Sequence, residues 1–314
     1  MDIIPANLDS FFKTLDFRFR MGQAAPDTFY RELATIVPSS TSANIYPWLA
    51  KIPQLREWVG PRVIHNISVR SYELRNKKFE DTIAVEKDHL ADDQYGFYGD
   101  VAGMLGSEVE EFPDRKIAEA LEAGTTELCW DGQFFFDTDH PIDPDGIVSG
   151  TNSNKLVGAG YDIAVADPLV PFSAARSAMM LWKREDGQQM GTVGDTIMVH
   201  PNEEKYGLQI ANAINLGQAI GSAAAANTNV YQGKVRVIVN PYLRVTSGRP
   251  WYLLATKKAV KPLLWQVRQE AVLTAKTNLT DDNVFWQQQF IWGVDLRAAA
   301  GYSFPFLAFR MSAS

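Results

Sequence analysis

The chain has 314 residues, 46% of them hydrophobic and 21% charged, enough for a sizeable core in one large domain or about two. Its net charge is −7, from 37 acidic against 30 basic residues, which excludes a protein whose task is to grip nucleic acid, since such proteins carry a basic excess or stripe. One cysteine, Cys129, rules out an intrachain disulfide, and no apolar run is long enough to span a bilayer. The opening "MDIIPANLDSFFKTLDFRFR" lacks a basic-then-apolar signal pattern. A protein made and kept in the cytoplasm, with no membrane partner, is expected.

Leu8, Phe11, Phe12, Leu15 and Phe19 recur at helical spacing and predict a short amphipathic helix. After the loop "MGQAAP", Asp27 is placed to cap a second helix, "TFYRELATIV", stopped by Pro38. These helices either pack on their own core or form an arm that docks on a neighbour. Three prolines in "YPWLAKIPQLREWVGP" exclude a long helix there. From Ile67 to Val85 apolar and polar residues alternate, predicting two or more extended strands. The segment is too charged for a buried central strand and reads as a ribbon projecting from the body, or more plainly as a solvated hairpin.

Asp92 or Asp93 is placed to start a helix whose stripe runs through Tyr95, Tyr98, Ala102, Leu105, Val109 and Phe112 and which Pro113 ends. "DRKIAEALEAG" then predicts a shorter helix capped by Gly124. Gly96, Gly99, Gly103 and Gly106 weaken the long helix, so tertiary packing must hold it. Further on, "SGTNSNKLVGAG" reads as loop, "PFSAARSAMMLWKREDG" as helix and "DTIMVHP" as strand. "NEEKYGLQIANAINLGQAI" reads as helix, "GSAAAANTNVYQG" as a flexible connection, "KVRVIVN" and "WYLLAT" as strands. The end, "VFWQQQFIWGVDLRAAAGYSFPFLAFRM", is aromatic, alternating and strand-like. Helices and strands mix without strict alternation, which predicts an α+β fold.

The chemically richest stretch is "CWDGQFFFDTDHP", Cys129 to Pro141. Asp137, Asp139 and His140, with Asp131 beside them, offer carboxylate and imidazole ligands for a divalent ion, and hence a metal-dependent enzyme. Against this, aligning the stretch with a calcium loop puts Pro141 and Asn152 at ligand positions, and Cys129 has no paired cysteine for zinc. The favoured reading is structural: "WDGQ" a tight turn, "FFF" a short buried strand, "DTDHPIDPDG" a surface loop. No phosphate-binding, dinucleotide, zinc-protease or hydrolase motif occurs, and neither cofactor nor catalysis is expected.

The blocks "EWVGPR", "YELRNKKFEDTIAVEKD", "DDQYGFYG" and "DGQFFFDTDHP", with "AVKPLLWQVRQE" and "DDNVFWQQQFIWGVDLRAAAGY" near the end, together resemble the major head subunit of Mu-like bacteriophages and prophages. The resemblance implies the capsid fold first described in phage HK97. On it, residues 1–50 would be an N-terminal arm, 51–88 an extended loop, and 89–161 a spine helix with part of a peripheral domain. Residues 162–246 would form an axial domain and 247–314 a return to the peripheral domain. It further implies self-assembly into hexamers and pentamers, forming an icosahedral head around double-stranded DNA. A scaffolding protein, a maturation protease and a portal would be partners, and DNA would be near without being specifically bound. The protein would reside in the virion after assembly in the host bacterial cytoplasm. Arg70, Tyr72, Arg75, Lys77, Lys78, Phe79 and Glu80 are then candidates for contact between subunits, and Lys13, Arg18 and Arg20 for a basic lumenal face. The alternatives to a capsid subunit are the metal-dependent enzyme and another virion component, such as a tail or decoration protein.

Overall fold

The computed structural model describes residues 4–46, 72–92, 96–143, 149–213, 215–216, 227–244 and 248–313. The helices are α1 (Pro5–Gln23), α2 (Tyr30–Leu33), α3 (Lys87–Asp92), α4 (Phe97–Ala123), α5 (Leu169–Leu181), α6 (Glu204–Asn212) and α7 (Asp282–Gln287). The strands run from β1 (Ala34–Pro38), β2 (Ala43–Tyr46), β3 (Tyr72–Arg75) and β4 (Lys77–Glu86) through β5 (His140–Pro141), β6 (Thr151–Asn152) and β7 (Lys155–Val157). They continue as β8 (Thr196–Val199), β9 (Asn215–Leu216), β10 (Asn227–Thr228), β11 (Arg236–Val239), β12 (Trp251–Leu254), β13 (Leu263–Lys276), β14 (Gln289–Tyr302) and β15 (Ala308–Ser312). The fold is α+β.

Among the described residues the larger sheets have strand orders β1-β13-β14-β4 and β11-β8-β12-β15-β7. In the second, β8 and β12 are buried along their whole length. Trp251 and Leu253 face Phe172 and Met179 of α5 and Ile210 of α6. Tyr252 and Leu254 face Ile117 and Leu121 of α4, with Phe135 and Phe136. Covered on both faces, "WYLL" shows no polar alternation. The first sheet differs. Its strands β13 and β14 are 14 residues each, roughly 45 Å. β13 is fully buried at its start and then alternates half-buried with exposed, so its outer part is covered on one face only.

α1 and α4 lie against this sheet, and the glycines explain how closely they approach each other. A Cβ on Gly22 would sit 1.9 Å from the Gly103 carbonyl oxygen, and one on Gly106 would sit 2.1 Å from that of Phe19. A side chain at either place forces the helices apart. The propensity cost in α4 is therefore offset by backbone-to-backbone packing, with Ser107 Oγ donating to Gly22 O at 3.1 Å. The early amphipathic helix thus docks within its own chain.

Several local expectations are corrected. Pro113 does not end α4, which continues to Ala123. A proline inside a helix costs about 3 kcal/mol by removing one hydrogen bond; here Pro113 is buried and the next residue, Asp114, accepts from Phe29 N (3.2 Å) and Tyr30 N (2.6 Å). That carboxyl caps α2 from across the fold. Burial, the main cause, together with neighbouring Glu110 and Glu111, pushes Asp114 up to about 6 against the pull of those N–H donors. The helix predicted over "TFYRELATIV" lasts only from Tyr30 to Leu33. Ala34–Pro38 instead pairs in parallel with Leu263–Val267, where β-branched Thr35, Ile36 and Val37 suit a strand. α4 starts at Phe97, not at Asp92, which closes α3. The tail is not all strand, because Asp282–Gln287 is helical. "SGTNSNKLVGAG" contributes β6 and β7. The helix "NEEKYGLQIANAINLGQAI" is observed from Glu204 to Asn212. β12 and β15 lie in one sheet with β8 and β11.

β2 pairs with β3, setting Tyr46 opposite Tyr72. Their junction is fixed by Gln266, whose Oε1 accepts from Tyr46 Oη (2.7 Å) and whose Nε2 donates to Leu74 O (3.1 Å). Of the predicted extended segment, residues up to 71, with Trp58 and Arg70, lie outside the described residues.

Candidate functional site

The stretch from Cys129 forms a tight turn at Gly132 (φ +88°), with Cys129 N donating to Gln133 O at 2.8 Å. Asp131 and His140, nine residues apart, are both buried, and His140 Nδ1 lies 2.7 Å from Asp131 Oδ2. Cys129 Sγ donates to Asp131 Oδ1 at 2.9 Å. Asn154 closes the cluster: its Nδ2 donates to Phe135 O (2.7 Å) and Pro305 O (3.1 Å). Its Oδ1 accepts from Asp137 N (2.9 Å) and faces His140 Nε2 at 3.2 Å.

Burial alone would raise the Asp131 carboxyl, but the hydrogen bond and charge of His140 outweigh it and hold it below its ordinary value. Burial, and then the Asp131 charge, push the Cys129 thiol far up. A thiol so held is a poor nucleophile. Cys129, Asp131 and His140 bring ligand atoms within 4.8 Å of one another, yet each is already committed to a hydrogen bond inside the chain. The arrangement ties four parts of the chain together: the turn, β5, the residue before β7 and the segment before β15.

Three expectations change here. His140 is 1% exposed, so "DTDHP" is not simply a surface loop. The ligand set Asp137, Asp139 and His140 is not assembled, because Asp139 is exposed and Asp137 Oδ1 accepts from Thr138 N. "FFF" is not a strand either. Phe134 is partly exposed, while Phe135 stacks on Tyr302 at 4.5 Å and Phe136 meets Tyr252 at 5.5 Å.

The ribbon residues occupy β3 and β4. β4 pairs with β14 from Lys77↔Ala298 to Glu86↔Gln289, and its other edge has no partner strand among the described residues. Tyr72 is held in its own chain: Tyr302 N donates to its oxygen at 3.2 Å, and burial pushes the phenol up to about 12. Phe79 packs on Phe112 at 4.6 Å, beneath Lys116. Arg75 pairs with Glu73 at 2.8 Å, and Glu80 accepts from Thr82 Oγ1. Lys77 and Lys78 are exposed. On α1, Lys13, Arg18 and Arg20 are exposed; Lys13 pairs with Asp9 and Arg20 with Asp16, one turn earlier. Among the described residues no helix is long and apolar enough to cross a membrane.

A family model described as Mu-like prophage major head subunit gpT matches residues 8–167, 166–243 and 244–314. The chain belongs to this family. It is 29% identical over 306 residues to the major capsid protein of Escherichia phage Mu, covering 97% of this chain and 73% of that protein. It is 26% identical over 303 residues to the Mu-like prophage FluMu major head subunit of Haemophilus influenzae, covering 96% of this chain and 72% of that one. Among solved structures it is similar to a chain of the bacteriophage JBD30 procapsid. There the TM-score is 0.60 at 26% identity, over 99% of this chain and 77% of that chain. The fold is thus that of HK97-type phage capsid proteins, and this gpT-family chain is a structural head subunit rather than an enzyme. The working site of such a subunit is its surface. The sequence points to the ribbon for that surface; it does not announce the helical turn Asp282–Gln287, because the aromatic, alternating run that begins there reads as strand.

Proposed function

We propose that copies of this chain form hexamers and pentamers that tile an icosahedral head around double-stranded DNA. Assembly would take place in the host bacterial cytoplasm, with a scaffolding protein, a maturation protease and a portal as partners, and the product is the virion shell. The observation that carries this reading is the family match running from residue 8 to residue 314. Charge supports it: a net −7, with Lys13 and Arg20 already paired, leaves little to hold DNA fast. Lys13, Arg18 and Arg20 are proposed to face the lumen.

The β1-β13-β14-β4 sheet with α1 and α4 is assigned as the peripheral part, and α4 as its spine. The β11-β8-β12-β15-β7 sheet with α5 and α6 is assigned as the axial part, including β12 and β15. The segment beginning beyond Tyr46 and returning through β3 and β4 is assigned as the extended loop, with Arg70, Arg75, Lys77, Lys78 and Glu80 on its contact face. Tyr72 and Phe79 anchor it to its own subunit. Surface pairs contribute only about 0–1 kcal/mol each, and closure comes from their repetition by symmetry.

Expression of the chain with and without its scaffold, followed by sedimentation and negative-stain imaging, tests the reading. Closed particles are expected. Material that stays monomeric under every assembly condition would overturn it, and tubes or isolated surface knobs would assign another virion role.

A further inference from the structure

The buried cluster at the Cys129 turn holds a contact that fixes where its protons sit. Asn154 Nδ2 donates to the carbonyls of Phe135 (2.7 Å) and Pro305 (3.1 Å), so its amide cannot be turned round. Its Oδ1, an acceptor only, faces His140 Nε2 at 3.2 Å, and that nitrogen therefore carries a proton. Nδ1 then faces Asp131 Oδ2 at 2.7 Å. A neutral imidazole would set its lone pair against those of the carboxylate, in a site where Asp131 is 7% exposed and His140 1%. A positive charge must lie between them. A proton supplies it in the metal-free chain, and a metal ion can take the same place.

The surroundings suit a metal. Cys129 Sγ lies 2.9 Å from Asp131 Oδ1, the other oxygen of the same carboxylate. Sulfur, imidazole nitrogen and the two oxygens make four donors, converging from the turn and from β5. Ligand atoms around a tetrahedral zinc stand roughly 3.5 Å apart. The separations here run from 2.7 Å to within 4.8 Å, either side of that value. A zinc-bound histidine donates its other ring N–H to a fixed oxygen, and Asn154 Oδ1 is that oxygen. Burial and the Asp131 charge hold the proton on the thiol in the metal-free chain; a bound dication reverses that balance and takes the thiolate.

Charge also balances. Without metal the thiol is neutral and the imidazolium cancels the carboxylate. With Zn²⁺ bound, the thiol and the imidazolium each lose a proton to solvent, and thiolate plus carboxylate cancel the ion. The cluster is neutral in both states, so loading leaves no unpaired charge in the interior. Ca²⁺ and Mg²⁺ take oxygen ligands and are not matched by this set.

We propose that Cys129, Asp131 and His140 form a closed structural site for one Zn²⁺, with Asn154 orienting the imidazole. The coordination positions are filled by the chain, which leaves none open for a substrate, and the ion ties the turn to β5.

The test uses the full chain without a purification tag, stripped with a chelator and dialysed, with Co²⁺ as a coloured probe and Zn²⁺ as competitor. Because the site is buried, each ion is added to the folded chain and, separately, during refolding from urea. Expected are one Co²⁺ per chain with a thiolate-to-cobalt absorption, release of about two protons per ion, and displacement by Zn²⁺. Excess Zn²⁺ should raise the melting midpoint by at least about 3 °C. Cys129→Ser should abolish the absorption and weaken zinc binding at least about tenfold. Asp139→Ala, an exposed acid of the same stretch, should change neither. No binding by either route would overturn the site. Binding without the thiolate absorption, or undiminished in Cys129→Ser, would overturn it too, placing the ion elsewhere on the chain. None of these readings depends on shell formation, so the site and the assembly stand or fall separately.

Discussion

At the turn after Cys129 a carboxylate, an imidazole and a thiol are buried together; at the turn after Lys276 a phenyl and an indole stand in water. In the first, each buried polar group finds its partner inside the chain. In the second, Phe285 and Trp286 are 68% and 77% exposed among the described residues. A subunit of a shell has to fold before it assembles. Polar burial is costly unless satisfied at once, so it is completed internally. An exposed ring costs a folded chain little.

Breaking the first region should give the largest effect on stability. His140→Ala leaves the Asp131 carboxylate buried beside an empty space, and is expected to cost about 3–5 kcal/mol, read from urea unfolding. An unchanged midpoint would remove the cluster's role in holding the turn.

The packing of α1 on α4 comes next. Gly106→Ala drives a methyl into the Phe19 carbonyl and is expected to cost about 1–3 kcal/mol. Gly160→Ala, where nothing lies within 4 Å of the added methyl, is the control and should unfold like the wild type.

Asp114 sharpens the contrast, because it is a buried carboxyl without a basic partner among its contacts. Its value rises from 3.8 to about 6, so between those values the folded chain holds its proton more tightly than the unfolded chain. The stabilisation is complete below about 4 and is lost as pH rises through about 6. It amounts to about 3 kcal/mol at most. Asp114→Asn should flatten that slope of stability against pH; an unaltered slope would place the titration elsewhere.

The smallest effect on stability belongs to the exposed edge. Lys77→Glu with Lys78→Glu should shift the melting free energy by less than about 0.5 kcal/mol while lowering particle yield. Normal particles would remove this pair from the contact face.

Much of the architecture was legible in advance. The stripe from Tyr98 to Phe112 announced α4, and unbroken apolar runs announced β8 and β12. Glycines at 99, 103 and 106 announced that something must pack tightly, without saying what. Failures came where local signals competed with distant partners. Pro113 reads as a stop, and only the strands and helices around it keep α4 going. "ATIV" follows a helical spacing, and only Leu263–Val267 makes it a strand. Asp131 and His140 were both noted, but Asn154, which completes their cluster, carries no mark in the sequence.

Composition, periodicity and block order by themselves determined the mixed fold, the absence of a recognisable catalytic motif and the likeness to a head subunit, because these depend on which residues occur and in what rhythm. Tertiary structure alone decided which helix rests on which glycine, which carboxylate faces an imidazole and which aromatics stay outside. Those outcomes depend on residues far apart in the chain meeting within a few ångströms, and hydrogen bonds and packing forces act at no greater range.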